Sequence, residues 1–181
     1  MAQPIISLKK SELELATKGN MGGSTRKIGI IRADAVAEIP AADENTNTIS
    51  SAITFVDDTL EVFSMIEITK NSGDVRHELQ GEIDGKSYHN FIDFNLPTGL
   101  DKVLTLCKQL ANEDVIAVAQ DKRGNWRVLG TLDLPATLNQ ATGQLGKAAA
   151  DANNTAFILE ADWLAPAPIL TVTPQFEVTA A

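Results

Sequence analysis

VRHELQGEIDGKSYHNFIDFNL, residues 75–96, alternates apolar and polar side chains on either side of a turn signal. In its first half Val75, His77, Leu79 and Ile83 interleave with Arg76, Glu78, Gln80 and Glu82. In its second half Tyr88, Ile92, Phe94 and Leu96 take one face, and His89, Phe91, Asp93 and Asn95 take the other. A period of two is that of a strand. Asp84-Gly85 between the halves predicts a tight hairpin, because both residues tolerate positive φ.

The same signals spread outward in both directions. From Leu60 to Lys70, the residues Leu60, Val62, Ile66 and Ile68 alternate with Glu61, Phe63, Met65, Glu67 and Thr69. Lys27 to Arg32 is a further strand, and the polar run Ala41 to Thr48 is a loop. Pro97 closes the second strand of the hairpin. Thr98 then caps a helix near 99–112, with Asp101 reaching back and Leu100, Val103, Leu104, Cys107, Leu110 and Ala111 forming an apolar stripe. Val115 to Ala119, rich in small and β-branched residues, suits a buried strand, and Asp121 to Asn125 turns it into a second hairpin strand, Trp126 to Gly130. Thr155 to Trp163 is the last clear strand. Pro166, Pro168 and Pro174 make the tail 166–181 extended and hard to fit into a central sheet. Residues 1–27 read as an N-terminal arm, broken by Gly19-Asn20-Met21-Gly22-Gly23. The expected fold is mainly β: an antiparallel β-sandwich or half-open barrel over 28–165, with one packed α-helix and extended terminal arms.

Composition narrows the function classes. The chain has 181 residues, 44% hydrophobic and 22% charged, which suits a domain with a real core. No apolar stretch is long enough to cross a bilayer, and the first residues lack the order of a signal peptide, so no membrane partner is expected. A single cysteine, Cys107, excludes an internal disulfide framework and fits synthesis in a reducing cytoplasm. A net charge of −9 argues against tight nucleic-acid binding. The charge is unevenly placed. Lys9, Lys10, Lys18, Arg26, Lys27 and Arg32 gather in the first 32 residues, whereas 33–69 carry only acids. That asymmetry suits docking of one copy on the next, and it suits an ordinary solvated surface equally well.

Chemistry is sparse. His77 and His89 flank the hairpin turn at comparable distances and could face each other, with Glu78 or Glu82 as a third metal ligand, but wet-face histidines are common and no Cys stands nearby. Gly143-Gln144-Leu145-Gly146-Lys147-Ala148 lacks both the spacing and the Ser or Thr of a phosphate loop. Cys107 lies on the apolar stripe of the helix, the place of a buried thiol rather than a nucleophile. The carboxylate pairs Asp57-Asp58, Glu82 with Asp84, and Glu113-Asp114 sit at turns and strand ends. No enzyme, no cofactor and no metal is expected. A carbohydrate-binding or adhesion module would need exposed aromatics, for which Trp126, Trp163, Phe91 and Tyr88 are the candidates.

Asn20-Met21-Gly22-Gly23 followed by Ser24 to Arg32, the turn Gly81 to Tyr88, the hairpin Asp121 to Gly130, and Gly146 to Asp151 before the strand Thr155 to Glu160 together form a pattern over nearly the whole chain. In this order of signals the chain resembles small structural proteins of tailed phages, notably the tail-tube proteins of Bacteroidetes phages. The resemblance implies a virion protein made in the bacterial host cytoplasm, hexameric rings stacked into a hollow tube, and DNA that passes without tight binding. Its partners would be copies of itself and other virion proteins. Head–tail connectors, tail terminators and capsid-decorating proteins are the alternatives within that class. Glu61, Glu67, Glu78 and Glu82, on the wet faces of expected strands, are the candidate acids for the bore or for subunit contacts.

Overall fold

The computed structural model describes residues 23–57, 61–98, 101–146 and 153–176. In chain order these form β1 (Ser24–Arg32), β2 (Val36–Glu38), β3 (Thr48–Ile49), β4 (Thr54–Phe55), β5 (Ser64–Glu67), β6 (Asp74–Gln80), β7 (Ser87–Leu96), α1 (Asp101–Leu110), β8 (Val115–Asp121), β9 (Trp126–Leu129), β10 (Thr137–Gln144), β11 (Asn154–Trp163) and β12 (Ile169–Leu170). A six-stranded sheet runs β3-β12-β9-β8-β1-β5, and a four-stranded sheet runs β10-β11-β7-β6. The small pair β2-β4 stands apart from both. Pairing is antiparallel throughout except between β12 and β3. The molecule is thus mainly β, with its sheets in a sandwich-like arrangement and one helix, as the alternation predicts.

Two apolar layers explain the burial. Between the sheets lie Ile28, Ile30, Ala117 and Ala119 from the six-stranded sheet, against Ile92, Phe94, Phe157 and Leu159 from the other. Phe94 and Phe157 are direct partners across β7 and β11, and their rings stack with centroids 5.0 Å apart. The second layer covers the far face of the six-stranded sheet. There Ile31, Ile116, Val118 and Trp126 meet Val36, Ile53, Phe55 and Phe63. A strand covered on both faces reads as an unbroken apolar run, which is why Val115 to Ala119 shows no alternation. Gly29 on β1 belongs to this second layer. A Cβ there would come within 2.7 Å of both Phe176 and Val118, so only glycine admits that approach.

Several expectations need correcting. The hairpin from β6 to β7 turns through the loop 81–86 rather than at Asp84-Gly85 alone: Gly81 and Asp84 take the positive φ, and the Gly85 N–H donates to the Glu82 carbonyl. The strand expected from Leu60 to Lys70 shrinks to Ser64–Glu67, and Leu60 lies outside the described residues. On α1 the packed face is Val103, Leu106, Cys107 and Leu110, whereas Leu104 is exposed and Leu100 lies outside the described residues. The Thr98 hydroxyl shares a hydrogen bond with the Thr155 hydroxyl on β11, 2.8 Å away, and residues 99–100 at the start of the helix lie outside the described residues.

The terminal arms also differ from expectation. β1 begins at Ser24, inside the stretch assigned to the N-terminal arm, and residues 1–22 lie outside the described residues. The tail is extended, yet it is part of the six-stranded sheet. Ile169 and Leu170 pair with β9 on one side and β3 on the other, and Phe176 bridges to Phe63. Asn90, buried on β7, clamps the way in: its amide donates to the Ala165 carbonyl and accepts from the Ala167 N–H. A proline-rich segment enters this sheet because β12 needs only its two pairing residues free of proline.

Candidate functional site

The four-stranded sheet turns one face to the core and the other outward. Residues directly opposite on neighbouring strands share a face, so the outward set follows from register: Arg76 with Phe91 and Glu160, and Glu78 with His89 and Asp162. The same register separates the two histidines. His77 pairs with Asn90 on the core-side face, where its ring meets Tyr88 edge-on, while His89 points outward. His77 and His89 therefore stand on opposite faces and do not face each other. They are one residue out of register: His77 lies opposite Asn90, and His89 lies opposite Glu78.

The outward face carries a connected polar network. Arg76 Nε donates to Asp93 Oδ2 at 2.7 Å and its Nη1 donates to Glu78 Oε1 at 2.6 Å. The hydrogen bond to Asp93 holds the Arg76 guanidinium above its ordinary pKa. The same guanidinium lies 3.8 Å above the ring of Phe91, and His89 meets that ring edge-on at 4.3 Å. These two cover Phe91, which is buried despite facing away from the core. His89 Nδ1 stands 2.6 Å from Asp162 Oδ1 and Nε2 stands 3.1 Å from Glu160 Oε2. Burial disfavours the imidazolium, but the two carboxylates outweigh it and raise the His89 pKa. Gln80 also donates to Asp162, at 2.7 Å, and Asn139 on β10 donates to Glu160.

Chemically this is a charged, hydrogen-bonded surface. Asp162 and Glu160 engage opposite nitrogens of one ring, so they do not converge on a common point. Among the described residues no group of three or more His, Cys, Asp or Glu side chains could hold a metal ion. Asp93, Glu78, Glu160 and Asp162 outnumber Arg76 and His89, leaving the face net acidic. Cys107 is half-buried on α1, and burial pushes its thiol pKa up, away from the nucleophilic thiolate.

The four acids singled out from sequence separate. Glu78 lies on the outward face, in the ion pair with Arg76. Glu67 ends β5 at the edge of the other sheet. Glu61 precedes that strand and accepts the Asp57 N–H in a local turn, and Glu82 sits in the loop 81–86. The acids that join Glu78, namely Asp93, Glu160 and Asp162, were legible only as the polar alternates of β7 and β11. The aromatic residues that a carbohydrate-binding module would need are also dispersed. Trp126 and Phe91 are buried, and Tyr88 and Trp163 are paired on the core-side face. Among the described residues no helix is long and apolar enough to cross a membrane. Comparison with known protein families, with curated proteins and with solved structures finds no match to this chain.

Proposed function

We propose that the protein is a self-assembling structural subunit whose four-stranded sheets join edge to edge into rings, of the kind that stack into a phage tail tube. The observation that carries this reading is the pair of edges left open among the described residues. β10 and β6 end the sheet, β10 is solvent-accessible along its whole length, and β6 is mostly exposed. Unpaired edges of this length invite another strand. The strands alternate in direction across an even number, so β10 of one copy meets β6 of the next antiparallel. Repeated head to tail, that contact closes a ring when the rotation per subunit allows. With the core layers outside, the polar face would line the bore. Glu78, Asp93, Glu160 and Asp162 would then repel phosphate and let DNA slide without binding. Glu61, Glu67 and Glu82 fall to the periphery or to contacts between rings.

The contribution of the C-terminal tail is smaller than the sequence suggested, because the tail up to Phe176 lies on its own body. Assembly therefore rests on the sheet edges. Sedimentation and negative-stain imaging across a wide concentration range test the proposal. Rings or hollow filaments that are lost on placing lysines at Gln140 and Thr142 support edge pairing. A subunit that stays monomeric at every concentration overturns it and favours a decorating or binding role.

A further inference from the structure

A groove of about 580 Å³ runs between the segment 39–44, the loop 130–133 and the segment 161–168. Ile39, Leu132, Trp163, Leu164 and Pro168 give it an apolar wall, and Asp43, Glu44, Asp133 and Asp162 stand around it. Among the described residues no lysine or arginine lines it. Leu132 and Leu164 are exposed, Leu164 at 77%, a costly arrangement for large aliphatic side chains that nothing covers. Two of the acids are already engaged: Asp43 accepts N–H groups of its own turn, and Asp162 accepts from His89 and Gln80. Glu44 and Asp133 have no partner among the described residues. The groove thus asks for a short segment that is apolar at its centre and cationic at one end.

The geometry points to this chain's own residues 4–10, Pro4-Ile5-Ile6-Ser7-Leu8-Lys9-Lys10, as that segment. Ile5, Ile6 and Leu8 supply the apolar side chains, and Lys9 and Lys10 supply cations for Glu44 and Asp133. Reach favours the same chain. Gly23, where the described body begins, lines a second cleft that shares Ala167 with the groove. The chain from Lys10 to Gly23 spans up to roughly 40 Å, well over the radius of gyration of about 15 Å for a domain of this size. Tethering also sets an effective concentration of order millimolar, far above that of a second copy at micromolar protein. The occupant leaves β6 and β10 untouched, so this inference stands or falls independently of ring formation.

The test uses the full-length protein with Trp126→Phe, which leaves Trp163 in the groove as the sole tryptophan. A photo-reactive benzoylphenylalanine at position 6 is irradiated in an equal mixture of isotope-labelled and unlabelled protein at low micromolar concentration. The expected cross-links join position 6 to 130–134 or 163–168 within one isotope population. Lys9→Glu with Lys10→Glu is expected to lower their yield about fivefold and to shift Trp163 emission to the red. Cross-links of mixed isotope, cross-links outside the groove, or a yield and emission that ignore the charge reversal would each overturn the inference.

Discussion

His89 is the residue on which the polar face is centred, because both of its ring nitrogens meet carboxylates. Its folded pKa is raised, so its contribution to stability is fully present below the unfolded value and disappears as pH rises through the folded value. The protein is therefore expected to lose stability in the window just above pH 6.5, the ordinary histidine value. His89→Ala should flatten that dependence and cost about 1 kcal/mol at pH 6, both read from urea unfolding at pH 6 and pH 8.5. An unchanged pH profile in the variant would show that the imidazolium is not held by these acids. Gly29 is the second residue with a sharp expectation. Gly29→Ala should cost about 1–3 kcal/mol by overpacking the layer between Val118 and Phe176, measured as a lower denaturation midpoint. Neither role was legible beforehand: His89 stood on the polar face of its strand without identified partners, and Gly29 stood inside the strand Lys27 to Arg32.

At the scale of elements, strands with one wet face were legible from their alternation, and β8 from its unbroken apolar run. β10 escaped notice because Thr137–Gln144 is polar almost throughout. An edge strand with so little buried surface has little apolar pattern to show, and its partner β11 supplies the reason for its conformation. β12 escaped for the opposite reason, since flanking prolines announce a break while Ile169 and Leu170 pair between them. Asn90 is what ties that segment down. Asn90→Ala should leave the Ala167 N–H and the Ala165 carbonyl unpaired at a cost of about 1–3 kcal/mol. The tail beyond Ala165 should become cleavable by protease under native conditions. A tail that stays resistant would mean that β12 and Phe176 hold it without the clamp.

Across the whole molecule, charge and edge exposure bear on assembly together. A net charge of −9 keeps copies apart at low ionic strength, so ring formation should strengthen as salt screens the repulsion over about 8–10 Å. Duplex DNA should not be retained by the protein at any salt concentration, as read from a gel-shift titration. Retention that weakens with salt would contradict an acidic bore. Reversing charge on the polar face by Glu160→Lys with Asp162→Lys is expected to create such retention in assembled material and little in monomers.

By itself the amino-acid sequence determined the fold class, the place of the helix and the lack of a recognisable catalytic motif. Those depend on local periodicity and on residue types, which a linear reading can see. Only the tertiary structure decided which acids share a face with Glu78, that His77 and His89 do not oppose each other, and where the tail goes. Those depend on strand register and on contacts between residues such as Asn90 and Ala167 that lie far apart along the chain.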